Sequence, residues 1–259
     1  ALKVGESVEQ QYHSVCLLSE RCMGCVSCAR HCPTEAIRIR GGKAKILESR
    51  CIDCGECIRH CPNHAKTAIT DTLVELKLYQ YNIALTAPSL YAQFDKKVSV
   101  GAILAGLKKL GFDKVAEVAR GAEIATAATY EYLKDKKIKR PVISAACPAA
   151  VRLILVKFPE LIDNICPVDA PVEITARIAR EEAMKDTGLP MESIGVWFIT
   201  PCPAKMTAVR EPIGVEESSI TGTISMASVY GELLKLISAE ETKSSEKMAS
   251  AEGIGWAIA

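Results

Sequence analysis

Residues 22–62 read CMGCVSCARHCPTEAIRIRGGKAKILESRCIDCGECIRHCP. Cys22, Cys25, Cys28 and Cys32 stand at steps of three, three and four, and Pro33 follows. Cys51, Cys54, Cys57 and Cys61 repeat those steps, and Pro62 follows. The repeat offset, Cys22 to Cys51, is 29 residues, and eight of the chain's twelve cysteines lie in this stretch.

Zinc, disulfides and iron–sulfur clusters are the chemistries open to so many thiols. Zinc sites pair two Cys-x-x-Cys units across a longer gap and have no use for a third Cys at the same step. Disulfide frameworks belong to small secreted proteins, and nothing in this sequence reads as secreted. The duplicated four-ligand run with its Pro is the bacterial ferredoxin spacing for two 4Fe–4S clusters, in which the last Cys of each run ligates the other cluster. That pattern assigns Cys22, Cys25, Cys28 and Cys61 to one cluster, and Cys51, Cys54, Cys57 and Cys32 to the second. The small and apolar loop residues suit close packing against a cluster. Residues 33–50 are expected to form a short helix, a strand, a Gly41-Gly42 turn and a second strand, which gives a βαββαβ-like ferredoxin unit. His31 and His60, each preceding the last Cys of a run, read as solvated edge residues, with tuning of a cluster by hydrogen bonding as the alternative.

Lys and Arg number 32 against 31 Asp and Glu, a net charge of +1. That balance gives no reason to propose nucleic acid or an anionic membrane as a partner. Aromatics at 5% are too sparse for a platform that stacks single-stranded bases. No apolar run reaches the roughly 18 residues of a transmembrane helix. The opening ALKVGESVEQQYHS lacks the apolar core of a signal peptide. Reduced cysteines and oxygen-sensitive clusters point to the cytoplasm.

Beyond Thr67 the pattern changes. Residues 71–80 read as a linker strand or short helix, and 81–91 as an apolar strand ending at Ala87, Pro88 and Ser89. Helices are expected over 98–112, 121–137, 148–158, 171–188 and 224–238, and strands over 114–120, 141–147 and 194–202. The tail 253–259 reads as the start of a further strand. This alternation predicts a mostly parallel sheet covered on both faces. The fold class expected is thus an α+β ferredoxin-like domain over 1–77, followed by an α/β domain with a mostly parallel sheet over 78–259. Ligands of such sheets gather beyond the carboxyl ends of the strands. Cys147 and Cys202 are expected there, each directly after an apolar strand, with Lys205 three residues on. Cys16 and Cys166 fit no ligand spacing and read as structural or free thiols.

At these motifs the chain resembles the FeFe-hydrogenase family. The family's Thr-Ser-Cys-Cys-Pro signature is matched by Ser144-Ala145-Ala146-Cys147-Pro148, and its Met-Pro-Cys-x-x-Lys by Thr200-Pro201-Cys202-Pro203-Ala204-Lys205. Ala87-Pro88-Ser89 is a further shared stretch, and two-cluster ferredoxin domains often precede the catalytic domain in this family. The resemblance implies an H-cluster, a 4Fe–4S cubane joined to a di-iron unit, with Cys147 and Cys202 as two of the four cubane ligands. It implies that Lys205 and Ser89 hydrogen-bond cyanides of the di-iron unit, and that Ala87, Pro88 and Pro201 line its pocket. It implies reversible oxidation of H2 and reduction of protons, or H2 sensing.

The departures are as informative. The family's proton-shuttling Cys is Ala146 here, Thr129 and Tyr132 stand where relay acids are expected, and Ala208 replaces a trailing Glu. These losses resemble the sensory branch, with slow turnover and downstream PAS-type or signalling domains. No Cys follows Cys202, so the third signature with two more ligands is missing. The expectation is a piece of a longer protein, whose H-cluster needs ligands from beyond this chain. A redox partner protein is implied, and a homodimer is compatible with the pattern. Two other functions compete: a non-catalytic ferredoxin-type electron carrier or redox regulator, and a hydrogenase-like iron–sulfur assembly factor. Lys205 and Ser89 favour the hydrogen-linked function, because a bare cubane has no need of them.

Overall fold

The computed structural model describes residues 12–237. The strand expected over 253–259 lies outside them. The first elements are β1 (Val15–Leu17), α1 (Ser27–Arg30), β2 (Ile37–Arg40), β3 (Lys43–Ile46), α2 (Glu56–Arg59) and β4 (Lys66–Ala68). β2 and β3 form an antiparallel hairpin pairing Ile37 with Ile46 and Arg40 with Lys43. Gly41 and Gly42 turn it at φ of 56° and 71°, a left-handed pair that glycine adopts without steric cost. Residues 33–36 are a turn with no helix, and Glu35 takes φ 53°, outside the right-handed helical region. β1 pairs with β4 antiparallel, Val15 opposite Ala68 and Leu17 opposite Lys66. These are the outer strands that a βαββαβ-like unit implies, although three residues carry no readable alternation that would give their bounds.

The 29-residue repeat extends to the backbone. Gly24 and Asp53, Val26 and Gly55, and Glu35 and His64 are three equivalent pairs, and all six have positive φ. Gly24 is there of necessity: a Cβ on it would lie 2.6 Å from the carbonyl oxygen of Gly42, against the hairpin turn.

The next elements are β5 (Tyr81–Thr86), α3 (Val100–Lys109), β6 (Lys114–Glu117), α4 (Val118–Leu133), α5 (Pro148–Lys157), α6 (Pro171–Thr187), β7 (Ile194–Thr200), α7 (Pro203–Arg210), β8 (Gly222–Ser225) and α8 (Met226–Leu236). The 71–80 segment holds a 3-10 helix, Leu73–Leu78, capped by Thr72 and Glu75 in a capping box. Four strands form a wholly parallel sheet in the order β6-β5-β7-β8. Every residue of β7 is buried, as are Asn82 to Thr86 of β5. Such continuous burial requires cover on both faces, which explains why these strands read as apolar runs instead of alternating ones.

Two helix pairs supply this cover. α4 meets α6 at Gly121, where a Cβ would lie 2.2 Å from the carbonyl oxygen of Pro171, and α3 meets α8 at Gly106 against Leu233. Ser99 caps α3 through its hydroxyl, and Gly188 ends α6 at φ 70°.

The strand expected over 141–147 does not form. Only a single parallel bridge links Ile143 to Ile165. Arg140 and Pro141 break the run ahead of it, and Pro141 brings no amide proton to a ladder. Helix also replaces the end of the strand expected over 114–120, since α4 already starts at Val118.

Contacts divide the chain into two compact units. One takes the described residues up to Thr70 with Lys137–Pro167 and Cys202–Glu217. The other takes Asp71–Lys136, Val168–Pro201 and the described residues from Ser218. No helix among the described residues is long and apolar enough to cross a membrane.

Candidate metal centre

The first unit holds two cavities walled by cysteine. One, with about 310 Å³ of atom-free space partly open to solvent, is lined by Cys22, Cys25, Cys28 and Cys61. The other, of about 330 Å³ counted the same way, is lined by Cys51, Cys54, Cys57 and Cys32. Each wall thus takes three thiols from one run and the last thiol from the other. The chain achieves this by local means. The left-handed residues at 24 and 26, and at 53 and 55, curl each loop ahead of its short helix, and the turn after Pro33 or Pro62 sends the fourth Cys across. The amide of Ala36 donates to Cys32 Sγ at 3.2 Å, and its repeat equivalent, Ala65, donates to Cys61 Sγ at 3.2 Å. Ala44 donates to Cys22 Sγ at 3.4 Å.

All eight thiols are outside disulfides. Burial pushes Cys57 up to about 12 and also raises Cys54 and Cys28. The amides of Ala44 and Gly24 pull Cys22 down. Four thiolates crowded into one small cavity repel one another, so the charged forms need a positive group among them. A metal cluster supplies that charge and displaces the thiol protons. The donor set and the amides aimed at sulfur fit a cubane in each cage.

Asp53 is the side chain sequence reading missed most plainly. Its carboxylate is buried and accepts from the backbone N–H of Val15 at 3.2 Å and from the Cys51 thiol at 3.8 Å. His13 Nδ1 lies 2.7 Å from it. Burial works against a charged imidazole, but the bonds to Asp53 and Cys51 and their negative charge outweigh it, and His13 is pushed up to about 10. The ligand atoms of His13, Cys51 and Asp53 all lie within 4.8 Å of one another. With Cys51 on the cage wall, the His13–Asp53 contact reads as a buried ion pair. A signal existed in the repeat, where Asp53 replaces Gly24, but its partner lies 40 residues away.

His31 and His60, also repeat equivalents, stack with ring centroids 3.8 Å apart and planes 8° from parallel. That pairing was not legible from their places in the runs. Cys16 lies half-buried in β1, and Cys166 is buried beside the Ile143 bridge, both as lone thiols.

The remaining site candidates divide between the units. Cys147, Cys202 and Lys205 belong to the first unit, and Ala87, Pro88, Ser89 and Pro201 to the second. Cys147 and Cys202 occupy matching places, each the N-cap of a helix with Pro at its first position. Cys202 follows the parallel strand β7 closely, as expected. Cys147 follows no sheet strand, because residues 141–147 do not join the sheet, and it is exposed.

The start of α7 is held on the second cage. Ser14 donates its hydroxyl to the Pro203 carbonyl at 2.8 Å, and Thr207 Oγ1 bonds Ser14 Oγ at 2.9 Å. A Cβ on Gly55, a cage residue, would lie 3.2 Å from the Pro203 ring. α5 touches the same wall through Lys157 Nζ, which donates to the Pro33 carbonyl at 2.7 Å.

In the second unit, Ala87 caps a 3-10 helix, Pro88–Gln93, and the Ser89 carbonyl accepts from Gln93. At the carboxyl ends of β5 and β6, Tyr91 donates its hydroxyl to Glu117 at 2.8 Å and bonds Thr86 at 2.8 Å. Burial and the Glu117 charge raise the Tyr91 phenol. Sequence reading did not find this trio.

A family model described as the iron only hydrogenase large subunit, C-terminal domain, matches residues 80–252. A second, the 4Fe-4S dicluster domain, matches 21–65. The NADP-reducing hydrogenase subunit HndD of Solidesulfovibrio fructosivorans is 25% identical over 173 residues, covering 60% of this chain and 29% of the relative. Iron hydrogenase 1 of Clostridium pasteurianum is 24% identical over 140 residues, covering 50% and 24%. The chain therefore spans under a third of either relative's length. Among solved structures, a variant of FeFe-hydrogenase HydA1 from Chlamydomonas reinhardtii superposes with a TM-score of 0.56 at 19% identity, covering 71% of this chain and 52% of that one. A second variant of it gives 0.55 at 18%, with the same coverage.

Proposed function

The chain belongs to the iron-only hydrogenase large-subunit family and carries a 4Fe-4S dicluster domain, and from that premise we propose that it is the electron-conducting part of a hydrogen-linked protein. Two 4Fe–4S clusters sit in the two cages, and Cys147 and Cys202 are ligands of an H-cluster completed by residues outside this chain. The observation that carries this is the crossed composition of the cages, three thiols from one run and one from the other. When bound, the cubanes supply one-electron storage.

The chain's own residues do the rest. Backbone amides of Ala36, Ala44 and Ala65 orient and partly neutralise the ligating sulfurs. Pro203 and Ser14 hold the start of α7, and hence Cys202, on the wall of the Cys51 cage, which supports a short route between that cage and Cys202. Lys205 Nζ is a hydrogen-bond donor suited to an anionic diatomic ligand, and Ser89 is a second such donor. Ala146 leaves no titratable thiol beside Cys147, which supports slow turnover and an H2-sensing role.

Anaerobic reconstitution tests the cages. Two cubanes are expected by electron paramagnetic resonance, and Cys32→Ser should perturb the one bound by the Cys51 loop. Perturbation confined to the cluster of the Cys22 loop would refute the crossed ligation. Infrared spectra of the full-length protein, made with its maturation machinery, test the rest. Carbonyl and cyanide bands should appear and vanish in Cys202→Ser, and bands unaffected by that change would refute the Cys202 assignment.

A further inference from the structure

The cages obey the 29-residue repeat, yet their walls are not charged alike. Ile37 and Lys66 are repeat equivalents, each the first residue of a strand and each 3% exposed. Ile37 lines the Cys51 cage, and Lys66 lines the Cys22 cage. A buried ammonium is expensive unless it meets an opposite charge or acceptors, and Lys66 Nζ has no hydrogen-bond partner. Its charge acts on Cys22 and Cys28, and also on Cys57 of the other cage. On the Cys51 cage the buried carboxylate of Asp53 is matched by His13 at 2.7 Å. Lys43 also acts on Cys22, but it is exposed and donates to the carbonyls of Ser19 and Cys22; among the described residues Lys66 is the buried ammonium in a cage wall.

A cubane held by four thiolates is net negative, and taking up an electron makes it more so. A cation fixed in a dry wall favours the reduced form over the oxidised one, which raises the potential. We propose that Lys66 is the built-in counter-charge of the cluster in the Cys22 cage and sets that cluster at the higher reduction potential of the two. An electron reaching either cage settles in the Cys22 cage. Pro203 rests on Gly55 of the Cys51 cage, so the electron is drawn away from the Cys202 end, the direction that serves H2 oxidation. This inference rests on the two-cluster function proposed above and adds a direction to it.

The test is an anaerobic dithionite titration of the full, cluster-loaded chain, followed by electron paramagnetic resonance. Cys25→Ser marks which signal belongs to the Cys22 cage. That signal should reduce first in the wild type. Lys66→Met should lower its advantage at least tenfold, about 59 mV for a one-electron couple, while Lys66→Arg keeps the wild-type order. Should Lys66→Met fail to load, Ile37→Lys gives the reciprocal reading and should raise the cluster of the Cys51 cage. Iron for only one cubane overturns both this inference and the two-cluster function. Two loaded cubanes whose order of reduction ignores these changes overturn this inference alone.

Discussion

Replacing Asp53 by Asn removes one charge and keeps the side chain's shape. Asp53 is 1% exposed and accepts from His13, Val15 and Cys51. Removing one partner of a buried ion pair costs about 3–5 kcal/mol. Asn keeps an oxygen for the Val15 amide, and His13 can shed its proton, so the lower end applies, about 3 kcal/mol, or roughly a hundredfold. The pH sign follows from His13. Its folded-state value, about 10, lies above the ordinary 6.5, so the stabilisation is fully present below pH 6.5 and fades as pH rises through about 10. The assay is the rate of visible bleaching of the cluster-loaded chain in guanidinium, for wild type, Asp53→Asn, His13→Gln and the double variant. Asp53→Asn should lose its clusters about ten to several hundred times faster below pH 6.5, with the gap narrowing as pH rises. His13→Gln should remove most of the same gap, since the two residues act as one pair. Equal bleaching rates at low pH, or a gap that widens with pH, would falsify the ion-pair account.

Gly121→Ala puts a methyl 2.2 Å from the Pro171 carbonyl oxygen and from Thr175 Oγ1. It should force α4 and α6 apart at about 1–3 kcal/mol, read as a lower thermal midpoint with the cage spectra unchanged. Tyr91→Phe strips Thr86 and Glu117 of a buried partner and should cost about 1–3 kcal/mol, again without touching the cage signals. Gly24→Ala combines positive φ with a clash on the Gly42 carbonyl. It should impair loading of the Cys22 cage selectively, visible as a reduced iron content with the Cys51-cage signal retained.

The sequence by itself determined whatever is encoded over short spans. The two cysteine runs specified both cages and the crossing of Cys32 and Cys61, because ligand steps are a local pattern and the repeat copies it. The apolar runs at 81–91 and 194–202 pointed to the two central strands, which end earlier, at Thr86 and Thr200, because a strand buried on both faces reads as a nearly continuous apolar run. Helix starts at Pro148 and Pro171 were legible for the same reason: first-turn prolines are local chemistry. Only the tertiary structure decided the rest. Residues 141–147 look like a strand, yet a strand needs a neighbouring edge, and Arg140-Pro141 precedes a segment left with one bridge. β1 and β4 are too short to announce themselves and exist because each completes the other. Asp53 meets His13, Tyr91 meets Glu117, and Lys66 enters a wall where its repeat mate is Ile37. Polar residues carry no periodic signature of their partners. Whether a charge ends up solvated, paired or alone against a cluster cage is settled only when distant segments close on it.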